Sequence, residues 1–501
     1  MKHMAMLAMV VLALLGTPCG ASELRIALNE DPDLLDPAQG GSFVGREVFA
    51  AMCDKLIDIA PDMSFVPQLA TAWAWSDDAK SLTLKLRDGV LFHDGTRLDA
   101  EAVKANLDRY RTAPESRRKG EVKPIANVAV IDPLTVRIDL SAPYAPLLAV
   151  LADRAGMMIS PTALAAFGDK IATKPACAGP YKFVERVAQE RIVLERFDKY
   201  WNPGPYTIDR VTYTPVPDTT VRLAGLRSGG FDIIDRLAAP DIPAVRADPA
   251  LSYVEITALG YNLLSFNLAN GPAADNPLGK DKRVREALEL SIDRAILNDV
   301  VFEGKFVPSN QFEAPGTRYW DARHPVPVRD VAAAKKLLVA AGTPHPAFTL
   351  TTGTGNTEQQ VAQTIQAMAA EAGFDIKLQA TEAATMVQKN TAGDYQAALA
   401  IWSGRPDPDG NVAIWIACDG FLNWGKYCNP ELDKALAAAR AVTDPAERAK
   451  LYASAADIYL TGRPAMVLYH LKWLWGISRK VTGFVPNPDG LIRLAGMKVG
   501  S

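Results

Sequence analysis

Residues 402–411 read Trp-Ser-Gly-Arg-Pro-Asp-Pro-Asp-Gly-Asn. The types in this stretch suit recognition of a small polar solute. Arg405 can grip a carboxylate through two parallel N–H donors, Asp407 can hold a cation, and Trp402 offers a flat surface for stacking. Ser403 adds a hydroxyl beside them. A plainer account uses the same residues: Asp, Asn, Pro and Gly build turns, and Asp407 or Asp409 would cap a following helix. An apolar run, residues 397–402, leads in and reads as a buried strand. Two prolines and two glycines then end regular structure. The loop thus leaves the end of a strand, and both accounts fit it.

Other chemistry is sparse. Five histidines occur, and His93, His324, His345 and His470 show no HxxxH or HExxH spacing. No metal site, nickel and haem included, and no cofactor is expected. No nucleophile, base and orienter stand at recognisable spacing, so the chain does not read as an enzyme. Ser42 has glycine at −2 but Val44 at +2, which is not a hydrolase elbow. Gly353, Gly355 and Asn356 precede a helix without a nucleotide-binding pattern, and Asp31 and Asp33 read as turn formers.

The chain of 501 residues carries 54 Lys+Arg against 57 Asp+Glu, interspersed and without a basic stripe, which argues against nucleic acid as a partner. An apolar content of 49% argues against low-complexity disorder. One lysine, an apolar core and small residues before Ser22 predict a cleaved secretory signal over 1–21. Cys19 follows a proline, a poor fit to lipid attachment. No later segment is apolar enough to span a membrane. Past residue 21 stand Cys53, Cys177, Cys418 and Cys428, an even number in an exported chain. Cys418 and Cys428 flank one short loop and are paired on that ground; Cys53 with Cys177 follows by elimination.

The surrounding elements are legible in outline. Strands are expected over 23–28 and 82–90, and helices over 44–56 and over 100–110 behind Asp99. Residues 332–342 read as a helix closed by glycine. Residues 348–352, 358–372 and 374–378 read as a βαβ unit, implying a mostly parallel sheet with ligand crevices at its strand ends.

Several blocks then carry a resemblance. Residues 69–109, LATAWAWSDDAKSLTLKLRDGVLFHDGTRLDAEAVKANLDR, resemble the signature region of the peptide/nickel-type solute-binding proteins of ABC importers, which include the dipeptide and oligopeptide receptors. Ala178-Gly179-Pro180-Tyr181, Tyr200-Trp201-Asn202-Pro203, residues 208–232 and residues 283–294 are similar to further blocks of that family, in its order. The resemblance implies an α/β fold of the periplasmic-binding-protein type: two α/β lobes with a hinge plus an extra β-rich domain. On that pattern lobe I comprises 22–62, 176–266 and 474–501, the extra domain 63–175 is inserted in it, and lobe II is 267–473. Residues 261–267 and 467–475 are the expected hinge strands.

The resemblance also implies a function. A monomeric periplasmic receptor would capture a peptide or peptide-like zwitterion by hinge closure and deliver it to an ABC permease in the inner membrane. Within the family an acidic "DPD" loop binds the ligand's α-ammonium, which carries that role to Asp407. The Ser403-Gly404-Arg405 run departs from the dipeptide receptors, so Arg405 would either neutralise Asp407 or bind a ligand carboxylate. Trp402, Ser403, Trp424 and Tyr261 complete the expected ligand-binding set. An exported hydrolase of peptides or glycosides, or a sensor or chaperone on the same fold, are the alternatives.

Overall fold

A computed structural model describes residues 22–500; the expected signal segment lies outside them. Among the described residues no helix is long and apolar enough to cross a membrane.

One 11-stranded sheet runs through the molecule. Its first half centres on Glu23–Leu28, flanked in parallel by Arg210–Pro215 and Ile233–Ile234. Leu24, Ile26 and Leu28 are fully buried, as the alternating pattern requires, and pack with Phe49, Tyr213 and Trp475. The second half holds the βαβ unit: strands Ala347–Thr352 and Asp375–Ala380 pair in parallel across helix Asn356–Ala370, and Ala397–Trp402 joins on the other side. Leu350, Ile365 and Leu399 share a separate core with Leu288 and Leu468.

Two long strands, Leu251–Phe266 and Ala465–Ser478, join the halves. They pair antiparallel along most of their length, with irregularities between Thr257 and Tyr261 and after Asn262. This corrects the expectation of a mostly parallel sheet. Each long strand passes once between the halves, in opposite directions, so the sheet is mixed.

A four-stranded antiparallel sheet, in the order Ala70–Trp75, Ser81–Leu86, Thr135–Leu140, Ile125–Asp132, has its own core of Leu82, Leu84, Val103 and Ile138. Helix Ala100–Thr112 packs there, and the Asp99 side chain accepts from the Ala102 N–H at its start.

Both disulfides are present: Cys53–Cys177 and Cys418–Cys428. The first explains why the helix expected over 44–56 is Phe43–Met52. Cys53 turns extended to reach its partner, while Asp54 accepts from Tyr200 and Trp201. Ser42 caps the other end by accepting from the Gly45 N–H. Phe43, Arg46 and Glu47 therefore lie on the first turns of a helix pinned at both ends.

Candidate functional site

The 402–411 loop lies over the long strand Leu251–Phe266, and two glycines let it do so. Gly404 has φ +82°, and a Cβ there would come within 2.4 Å of Leu259. A Cβ on Gly260 would meet the Trp402 carbonyl at 2.3 Å. Asn411 pins the loop from inside. Its Oδ1 accepts from the Arg405 backbone N–H (2.7 Å) and from Trp402 Nε1 (3.2 Å). Its Nδ2 donates to the Arg405 carbonyl and to Glu313 Oε1.

This loop forms one wall of a cavity of about 170 Å³. Trp402, Arg405, Asp407, Asp409 and Ile414 line it from one side, and Glu121, Tyr144, Val150 and Asp153 from the other. The facing wall thus comes from residues 120–153, on both sides of the strands Ile125–Asp132 and Thr135–Leu140 in the chain, a contribution with no local signal in the sequence. Contacts cross between the walls: the Ala145 N–H donates to the Arg440 carbonyl (2.8 Å), and Lys123 pairs with Asp419 (3.2 Å).

Charge is arranged unevenly around the cavity. Asp407 accepts from Arg448 at both oxygens, Nη1 to Oδ2 at 2.5 Å and Nη2 to Oδ1 at 2.8 Å, with both side chains buried. Asp407 Oδ1 also accepts from the Asp409 N–H at the start of helix Asp409–Ile416, so the helix-start role belongs to it as well. Asp409 pairs with Arg440 (2.7 Å). A ligand cation at either aspartate would have to share it with a guanidinium.

Arg405 stacks over Trp402, its guanidinium carbon 4.4 Å from the ring centroid, and its Nε lies 3.2 Å from Asp153 Oδ2 as an ion pair. Arg46 donates to the other oxygen of Asp153 (2.9 Å). Burial pushes the Asp153 carboxyl up, but Arg46, Arg405, Arg154 and Arg118 together outweigh it and hold it well below the usual range. Arg405 is itself lowered, by burial first, with Asp153 opposing. Asp153 thus stands among four guanidinium groups.

From Arg46 the site continues to a second chamber of about 570 Å³. Phe43 stacks on Trp473 with centroids 4.6 Å apart and planes at 12°. Arg46 and Arg236 both lie over Phe43, and Arg236 also over Trp473 (5.3 Å). Asn29, Arg236, Asn262, Ile401, Tyr469 and Trp473 are among its lining residues. Here the strand ends of both halves of the sheet face each other, the place where open α/β sheets bind ligands.

Of the expected site residues, the fold brings Trp402, Arg405 and Asp407 to one cavity wall. Ser403 lies on the loop between them, within 3.4 Å of Arg405 Nη1. Tyr261 and Trp424 lie elsewhere. Tyr261 is fully buried, its hydroxyl donating to the Asn411 carbonyl (2.5 Å), so it supports the loop from below. Trp424 sits in the short loop closed by Cys418–Cys428, turned edge-on to Trp415 (5.3 Å) and buried in the core. Phe43, Arg46, Asp153 and Arg236 escaped the sequence reading, because none belongs to a motif and they converge from distant segments.

His93 stands between backbone groups of Gly179 and Cys177, and burial lowers it to about 4. His324 comes together with Asp321 and Asp457, but Arg323 already pairs with both acids.

Known proteins match this chain along its length. The pattern defining the bacterial extracellular solute-binding proteins, family 5 Middle, matches residues 64–423. The glutathione-binding protein GsiB of Escherichia coli K12 is 30% identical over 482 residues, covering 94% of this chain and 93% of that protein. The periplasmic binding protein AgaA from A. tumefaciens R10, solved with agropinic acid, superposes with a TM-score of 0.83 at 27% identity, covering 96% of this chain and 99% of that one. DppA from Helicobacter pylori, solved with the peptide STSA, shares the fold, with a TM-score of 0.84 at 24% identity over 96% of this chain and 99% of that one. Members of this family are binding proteins that deliver ligands to ABC permeases. The chain belongs to the bacterial extracellular solute-binding proteins, family 5, and is a solute-binding receptor of an ABC transporter.

Proposed function

We propose that this receptor captures a small peptide-like zwitterion outside the cytoplasm, closes over it and hands it to a membrane permease. The observation that carries the reading is Arg405: a largely buried guanidinium, stacked on Trp402 and paired across the cavity with Asp153. A ligand carboxylate presented there would meet Arg405 and Arg46 in a poorly hydrated setting, where charge-assisted hydrogen bonds are strong. Trp402 and Ser403 flank that position. Asp407 contributes through Arg448, as the far half of a fixed ion pair. Similarity to a glutathione-binding relative supports a ligand of that charge pattern.

Closure uses the two long strands. Bending at the irregularities near Thr257–Asn262 would move lobe II, 267–473, against lobe I with its insertion at 63–175. The protein works as a periplasmic monomer after loss of a signal segment, without cofactor or nucleic acid, and catalyses no reaction.

Titration calorimetry of the 22–501 chain against glutathione, Met-Leu, agropinic acid and Ni²⁺–histidine tests the reading. Binding of glutathione or Met-Leu at micromolar affinity or better is expected, lost in Arg405→Gln. Binding of the nickel complex alone, or turnover of the peptides during the titration, would overturn it.

A further inference from the structure

The acids in and behind the walls of the cleft are of two kinds. Asp153, Asp407 and Asp409 each have an arginine partner. Glu47 and Asp235 differ. Among the described residues they are the two carboxylates with both oxygens buried and without a hydrogen-bond donor, and each residue is 0% exposed. Asn29 adds a third buried acceptor without a donor, its Oδ1.

Three elements bring these groups together. Asn29 directly follows strand Glu23–Leu28, Asp235 directly follows strand Ile233–Ile234, and those strands are parallel neighbours. Glu47 sits on the second turn of helix Phe43–Met52, one residue from the Arg46 that binds Asp153. The charges of Glu47 and Asp235 act on each other directly. Asn29 and Arg236 line the 570 Å³ chamber. Arg236 stands nearest, yet its Nε is 3.7 Å from Asp235 Oδ2, beyond hydrogen-bond reach. Its guanidinium is drawn instead over Phe43 and Trp473, and its backbone adopts φ +50°.

Buried acceptors without donors cost stability, and folded proteins keep few of them. A primary ammonium group carries one positive charge and three N–H donors, which matches two carboxylates and one amide oxygen. We propose that Glu47, Asp235 and Asn29 Oδ1 form the cation subsite of this receptor, taking the ammonium group of the captured solute while Arg236 gives up its loose contact with Asp235. The inference rests on the zwitterion reading above and assigns the positive end of that ligand to lobe I, the negative end lying toward Arg405.

A consequence concerns protons. Burial, then the charge of Asp235, pushes Glu47 well above the usual carboxylate range. Burial also raises Asp235, to about 6, with Arg236 and Arg222 opposing. Glu30, Arg46 and Tyr213 are the other ionisable groups acting on or beside the pair. In the free receptor, burial and the mutual repulsion of the two carboxylates thus favour a proton on the pair. An arriving ammonium replaces it, and the displaced proton passes to the buffer.

Calorimetry with glutathione and des-amino glutathione, which has hydrogen in place of the α-ammonium, tests the subsite. The wild type is expected to prefer glutathione by at least tenfold and to release protons on binding, seen as a binding enthalpy that differs between phosphate and Tris buffers. Glu47→Gln and Asp235→Asn should each lose most of that preference and the proton release, while the affinity for the des-amino compound stays. Melting temperatures of the free variants should match or exceed that of the wild type, because the substitutions remove buried charge. Equal binding of the two compounds by the wild type, or an unchanged preference in both variants, overturns the subsite and leaves the receptor reading standing. A wild type that binds neither glutathione nor Met-Leu overturns both.

Discussion

The two walls of the cleft handle charge in opposite ways. On the 402–411 side the acids that line the cavity are matched: Asp407 by Arg448, Asp409 by Arg440, and Asp153 across the gap by Arg405 and Arg46. On the strand-end side Asn29 lines the chamber and Glu47 and Asp235 lie buried behind it, acceptors with no side-chain donor. A matched wall is rigid, because moving any member leaves a buried charge alone. An unmatched wall is costly until something binds. The contrast sets a wall fixed by ion pairs, from which Arg405 faces the negative end of the ligand, against one whose buried acceptors await the positive end. Residue type does not reveal which is which, since both walls use arginine and aspartate.

Each wall has its own covalent clamp, and removing the clamps gives the largest expected effects. Cys53–Cys177 closes a separation of 124 residues and Cys418–Cys428 one of 10. Loop-closure entropy then assigns about 5 kcal/mol to the first and about 3 kcal/mol to the second. Paired Cys→Ala variants, compared by urea denaturation, should lose stability in that order; the reverse order would break the comparison.

Next comes the matched wall itself. Arg448→Ala leaves Asp407 buried and alone, at an expected cost of about 3–5 kcal/mol, whereas Arg448→Met with Asp407→Leu should recover much of it. A loss under about 1 kcal/mol in the single variant would mean that the pair is not structural. Arg405→Gln should act on binding more than on folding. Loss of about 3 kcal/mol of glutathione affinity is expected, with Arg405→Lys intermediate because lysine lacks the planar fork. Equal affinity in all three proteins would remove Arg405 from the ligand's wall.

The smallest effect sharpens the comparison at the hinge between the walls. His470 is fully buried, with its ring nitrogens 3.1 Å from the carbonyl oxygens of Gly260 and Gln311. Burial lowers it to about 4, against backbone hydrogen bonds that raise it. Between pH 6.5 and about 4 the unfolded chain therefore carries the proton and the folded one does not. Stability should fall as the pH drops through that window, by about 2–3 kcal/mol from this residue. His470→Asn should flatten that limb of a urea-midpoint profile, and an unaltered slope would assign the acid sensitivity to other groups.

Much of the scaffold could be read locally. Alternation in Glu23–Leu28, the glycine after helix Val331–Ala340, the Asp99 cap and the apolar run into Trp402 each encode an element within a few residues, because side-chain period and cap chemistry are local. The helix at Phe43–Met52 came out shorter than its periodicity, since a disulfide partner 124 residues away sets its end. Trp424 and Tyr261 show the same limit. An aromatic beside a pocket loop and one beneath it look alike in sequence, and only packing against Trp415 or Asn411 tells them apart.

By itself, then, the order of residues determined the strand, the loop and the family blocks around Arg405 and Asp407. Which charges are free was decided by the tertiary structure alone. Asp407 meets Arg448 from 41 positions away and Arg405 meets Asp153 from across the cleft, while Glu47 and Asp235 end up with no side-chain hydrogen-bond donor. Periodicity reports the face on which a side chain lies. A charge's partner depends on where distant chain segments come to rest, and local pattern carries no record of that.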